Sequence, residues 1–164
     1  MIRRFLADER GSPAAEFVLA LPVVLALMFG GLEAGHFFWT EHKLIKAVRE
    51  GARYASRVPV EDLCDGATNV MSSDTEDNIQ AVTATGVLAD GTVKVPGWDP
   101  DDVTVTVGCE AFVATGMYTG LGGAGPMVTV SSGAVGYPSL FEALGFIDSS
   151  YELRARSSAA VMGI

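Results

Sequence analysis

A carboxylate at the mouth of an apolar helix is the first candidate for chemistry in this sequence. Glu16 stands five residues after Gly11, and Phe17 to Leu32 follows as sixteen residues without a charge. A helix of that kind belongs in a bilayer or among similar helices, and an acid at its entrance costs free energy unless a positive group pairs it. The remaining candidates are weaker. Cys64 and Cys109 lie 45 positions apart, with His36 and His42 near the apolar run, and no zinc spacing relates them. Gly120 to Gly125 satisfies G-x-G-x-x-G, but Pro126 and an alternating strand follow where a dinucleotide site needs a helix N-terminus, so the stretch reads as a flexible loop. Asp74, Glu76 and Asn78 mimic the first ligands of a calcium loop, yet Ile79 occupies the position of the required glycine. The Asp99 to Asp102 cluster reads as a solvated acidic turn, with weak calcium binding as the alternative. Neither histidine has a cysteine or serine beside it to activate. The expectation is a protein that is not an enzyme, with no cofactor and no metal.

The elements that must hold these residues are set by patterning. At 164 residues the chain has room for one modest domain and an anchor. Its mean hydropathy of +0.31 is high, and the apolar run is the source. Charge is split unevenly: residues 1–57 carry eight Lys/Arg against six Asp/Glu, whereas residues 58–164 carry three against fourteen. A net +2 stem therefore bears a net −11 head, which repels nucleic acid phosphates. A secretory signal peptide would need a small-x-small cleavage site, and Gly30 to Gly35 offers a poor approximation of one. The sixteen apolar residues span ~24 Å, short of a ~30 Å hydrocarbon core. Extension to Trp39 adds Phe37, Phe38 and Trp39 as an interfacial aromatic cluster but takes in Glu33. Pro22 lies within the run, where membrane helices tolerate it. Leu44, Ile45, Val48, Ala52 and Ala55 continue at helical spacing, so one helix is expected from Pro13 to near Arg57, before Pro59. Gly30, Gly31 and Gly35 permit close approach of neighbouring helices; Gly51 either does the same or loosens the stem.

Two stretches carry a resemblance. Gly11-Ser-Pro-Ala-Ala-Glu16-Phe17 resembles the type IV prepilin pattern, and Ala47 to Ala55, with Arg49-Glu50-Gly51-Ala52-Arg53, is similar to the stem signature of TadE-like pseudopilins, minor pilins of the tight-adherence (Tad/Flp) pilus. Ser12-Pro13 departs from the aromatic start of the best-known pilins. The resemblance implies a leader over residues 1–11, cleaved by a prepilin peptidase between Gly11 and Ser12, where a glycine lets the chain enter a narrow site in extended form. It implies a transmembrane and stem helix over 12–57 in the inner (cytoplasmic) membrane, and a head over 58–164 outside the cytoplasm. After assembly the protein would lie in an extracellular pilus. Its partners would be the lipid bilayer, the major pilin, other minor pilins and the inner-membrane assembly machinery, with Glu16 and Phe17 serving assembly. Glu16 would pair with the Ser12 ammonium of a neighbouring subunit, or else merely reach the headgroups. The alternative function is an uncleaved bitopic inner-membrane protein with a periplasmic binding head.

For the head, the fold class expected is α+β: a pilin-like stem helix bearing a small antiparallel sheet. Asp62 to Asn78 reads as a connecting loop with room for a short helix. Ile79 to Leu88 and Thr92 to Val95 read as strands joined at Asp90-Gly91. Val103 to Val107, Met127 to Val130 and the stretch from Tyr151 to Arg156 alternate as strands, and Pro138 to Phe146 reads as a short helix or a turn. Two cysteines in an exported head suggest a Cys64–Cys109 disulfide, a reduced pair being the alternative.

Overall fold

The computed structural model describes residues 12–109, 126–143, 145 and 151–162. Gly11, the expected leader and the Gly120 to Gly125 pattern lie outside the described residues.

One helix dominates. α1 (Ser12–Ala55) runs 44 residues with Pro22 inside it, about 66 Å of continuous helix. Its second half has a face of small and branched residues, Leu44, Ala47, Val48, Ala52 and Ala55, all buried. These recur every three to four positions and so form one stripe. On that stripe sits the head.

After Pro59 come a single turn of helix, α2 (Val60–Leu63), and a two-residue hairpin, β1 (Cys64–Asp65) with β2 (Thr68–Asn69). A three-stranded antiparallel sheet follows in the order β3 (Thr104–Gly108), β4 (Met127–Ser131), β7 (Arg156–Ala160). In β3 and β4 the alternation works as read: Val105, Val107, Val128 and Val130 turn inward, while Thr104 and Thr106 face solvent. Val105 lies opposite Val130 and Val107 opposite Val128. α1 packs against β4 and β7. A second small ladder, β5 (Val135–Gly136) with β6 (Glu152–Leu153), flanks the short α4 (Leu140–Ala143). The stretch expected as one strand from Tyr151 to Arg156 is thus divided between β6 and β7. The architecture is α+β and pilin-like.

The strand expected at Ile79 to Leu88 is a helix instead. α3 (Ser73–Ala84) begins at Ser72, whose hydroxyl accepts a hydrogen bond from the Thr75 N–H at 3.2 Å. Asp74 and Glu76 occupy its first turn, where the helix dipole favours acid. Ile79, Thr83 and Ala84 are its buried residues, spaced for one helical face rather than a strand. Thr92 to Val95 is not a strand either: the Lys94 N–H donates to the Ala84 carbonyl at 2.9 Å, so the chain returns against the end of α3. Asp90, at φ 55°, keeps its turn role without a hairpin around it. The expected loop at Asp62 to Asn78 holds the β1–β2 hairpin and the first half of α3.

The Cys64–Cys109 disulfide is present, with Cα atoms 5.7 Å apart. It fastens the segment just past the stem to the end of β3. Asp74, Glu76 and Asn78 lie on α3 and not in a loop. Asp99 accepts from the Asp101 N–H at 3.1 Å and so caps a 3-10 turn, Pro100–Asp102.

Candidate functional site

The candidate side chains are strung along α1, and each third of the helix has a different environment. From Ala14 to Leu32 every residue is exposed, Phe17 and Val18 at 65% and Leu19 at 77%. That run is nineteen residues, about 28 Å, close to the thickness of a hydrocarbon core. Glu16 lies near its start and is exposed, with Phe17 beside it. Gly30, Gly31 and Gly35 have nothing near the positions where a Cβ would stand. This helix face is open.

Among the described residues the head first meets α1 at Glu33. The Ser139 hydroxyl donates to one carboxylate oxygen at 2.6 Å and the Leu140 N–H to the other at 3.1 Å. The Tyr137 hydroxyl donates to the Glu33 backbone carbonyl at 3.2 Å and lies 3.0 Å from Nδ1 of His36. Burial, reinforced by Glu33, pushes the Tyr137 phenol up to about 12. The Tyr137 ring stands edge-on to Phe37 at 5.2 Å. Outside this contact, Phe38 and Trp39 are both 57% exposed, and the Lys43 ammonium sits 4.4 Å over the Trp39 ring. Glu33 therefore ends the uncovered run with an acid satisfied by the head. Extending the span toward Trp39 encloses this carboxylate, which costs free energy when unpaired. The fold removes that cost. Of the two histidines, His36 joins the collar with Tyr137, and His42 is exposed.

The last third carries the signature. Arg49 and Arg53 are exposed. Glu50 turns sideways and accepts from the Lys94 ammonium at 2.7 Å. That hydrogen bond, with the lysine's charge, lowers the Glu50 carboxyl below its usual range against the opposing effect of burial. Lys94 also donates to the Val82 and Thr83 carbonyls at 3.4 and 3.3 Å, so one cation ties the stem to the end of α3. Gly51 is fully enclosed: a Cβ there would collide with the Thr83 hydroxyl. The absent side chain is what lets α3 cross the stem. Ala52 lies in the core beside it. Sequence reasoning could not decide what Gly51 is for, and it passed over Lys94, whose place beside Glu50 arises only when α3 folds back. Among the described residues no group of three His, Cys, Asp or Glu side chains is placed to hold a metal.

These features define a class: a pilin-like α+β protein with one helix long and apolar enough to cross a membrane and a head seated on that helix's distal half. Residues 11–53 match the family model described as TadE-like protein, a similarity that covers the apolar run and the stem signature. The match ends before the head. No curated protein and no solved structure matches the chain.

Proposed function

We propose that the protein is a TadE-like minor pilin, made as an inner-membrane precursor, cleaved after Gly11 and incorporated into, or priming, a Tad/Flp-type pilus. Its action is assembly, not catalysis. The observation that carries this reading is the uncovered Ala14 to Leu32 run, bounded by Glu16 at one end and by the head-capped Glu33 at the other, within the matched segment. Such a helix suits lipid before assembly and neighbouring helices afterwards. Cleavage leaves Ser12 as a new ammonium, and Glu16 of one protomer pairs with that ammonium of the next, which favours one axial register. Orientation follows from cleavage at the cytoplasmic face, with the head outside. That compartment is the one in which the Cys64–Cys109 disulfide persists. The partners are prepilin peptidase, the major and other minor pilins and the inner-membrane machinery.

N-terminal sequencing of material recovered from sheared appendages tests the reading. The expected start is Ser12; recovery with the leader still attached refutes it. Glu16→Gln is expected to insert into membranes normally and to be lost from the appendages. Its normal incorporation would refute the pairing role.

A further inference from the structure

The head meets the stem where the bare run ends, and that sets one edge of the head beside the lipid. Leu32 is the last residue of the uncovered run, and Glu33, one residue on, accepts from the Ser139 hydroxyl at 2.6 Å and the Leu140 N–H at 3.1 Å. The Ser139 hydroxyl in turn accepts from the Phe141 N–H at 3.2 Å, so the start of α4 is pinned to that point of α1. Tyr137 reaches the Glu33 carbonyl with its hydroxyl, while its own N–H donates to the Tyr151 carbonyl at 2.8 Å, which draws Tyr151 toward the same edge. Both outer residues of this edge are uncovered: Leu140 is 41% exposed and Tyr151 69%. From Gly133 to Phe146 the sequence has one charged residue, Glu142, in a head that carries fourteen acids. The edge therefore has little of the charge that would hold it away from lipid.

We propose that this edge, through Leu140 and Tyr151, rests in the headgroup layer of the bilayer as a second membrane contact. The occupant follows from position, because the edge is continuous with the bare run. A hydrocarbon core of ~30 Å lies within a bilayer of ~40–45 Å, so each headgroup layer is about 5–8 Å deep. With Leu32 at the hydrocarbon boundary, α1 climbs about 10 Å to Trp39, and Glu33 with its bound Leu140 N–H falls at the bottom of that layer. Phe38 and Trp39, both 57% exposed, stand on faces of α1 that the head leaves open, whereas His36 and Phe37 meet Tyr137. Tyrosine and tryptophan favour this depth, since each offers an apolar ring and a polar tip. Lipid is thus met by Phe38 and Trp39 on the helix and by Leu140 and Tyr151 on the head. Interfacial anchors set the tilt and rotation of a spanning helix, so the head is held at a fixed attitude to the membrane and does not swing on a stalk. The inference rests on the spanning helix of the proposed function, and it adds a contact that neither Glu16 nor cleavage after Gly11 requires.

The test uses the full chain reconstituted in phosphatidylcholine vesicles. Leu140→Cys, Tyr151→Cys, Leu25→Cys and Ser73→Cys each introduce one free thiol for an environment-sensitive fluorophore, the native cysteines being held in the Cys64–Cys109 disulfide. All four positions are exposed, so the fold tolerates the changes. Lipids carrying a nitroxide on the headgroup or near the end of the acyl chain then report depth by quenching. At positions 140 and 151 the expected result is blue-shifted emission, quenched more by the headgroup nitroxide than by the chain-end one. The label at position 25, in the middle of the bare run, should be quenched most by the chain-end nitroxide. At position 73, where α3 starts beside the distal end of the stem, neither should quench. Leu140→Asp added to labelled Tyr151→Cys should weaken the headgroup quenching; unchanged quenching would show that Leu140 does not hold the edge in the headgroups. If labels at 140 and 151 behave like the one at 73 while that at 25 is quenched, this inference alone fails. If the label at 25 is unquenched, the spanning helix itself fails. Disulfide cross-linking of two copies through Leu140→Cys, without headgroup quenching, would assign the edge to a second copy and equally overturn the proposal.

Discussion

Replacing Gly51 by alanine tests the joint between stem and head. In the stem alone the change should help, because alanine favours helix over glycine by ~1 kcal/mol. In the folded protein the new Cβ collides with the Thr83 hydroxyl and lies 2.9 Å from the Thr83 Cβ and 3.2 Å from its Cγ2. Thr83 cannot swing aside easily, since it is fully buried and its hydroxyl donates to the Ile79 carbonyl at 2.6 Å. Overpacking of this kind costs ~1–3 kcal/mol, so after the helix gain the net loss is up to about 2 kcal/mol. For a chain of this size that lowers the Tm by up to roughly 8 °C. Thr83→Ala removes the hydroxyl and methyl but keeps a Cβ at 2.9 Å, so the double variant should recover about half of the loss. Chemical denaturation of the full chain in detergent, run as a double-mutant cycle, reads the coupling directly. Gly35→Ala is the control, for nothing lies within 4 Å of its Cβ position. If Gly51→Ala is as stable as Gly35→Ala, or if the two sites do not couple, the crossing does not depend on the missing side chain.

Three further outcomes are expected. The Glu50 carboxyl is lowered from 4.5 by Lys94, so its contribution is present above that value and lost as pH falls through the lowered one. Acid unfolding monitored by circular dichroism should accordingly be shallower in Lys94→Met, and the difference at neutral pH should stay within about 1 kcal/mol because the Glu50 side chain is 41% exposed. The Tyr137 phenol, raised from 10.0 to about 12, favours the fold below pH 10 and ceases to do so as pH climbs through 12. Ultraviolet titration should show one tyrosine ionising last, at lower pH in Glu33→Gln; an unshifted titration would dissociate the two groups. Reduction of Cys64–Cys109, which closes a separation of 45 residues, should destabilise the head by ~4 kcal/mol. Iodoacetamide should label the two cysteines only after reductant, and labelling without it would show the bond absent.

The sequence by itself determined whatever depends on period and composition. An uncharged run followed by apolar residues at helical spacing can only be one long helix, and α1 follows the expected limits to within a few residues. Alternation in Val103 to Val107 and Met127 to Val130 sufficed for β3 and β4, because burying one face of a sheet needs nothing beyond a period of two. Two cysteines admit one intramolecular pairing. The strand expected from Ile79 to Leu88 gives way to α3 because Ser72 caps the helix start and Asp74 and Glu76 fill its first turn. Only the tertiary structure decided the rest. Gly51 acquires its purpose from Thr83, Glu50 from Lys94, and Glu33 from Ser139 and Leu140, partners 32, 44 and more than 100 positions away. A local pattern records what a residue prefers. It holds no record of which distant backbone will fold against it, and for a stem that carries its head on one side those contacts set where the bare helix ends.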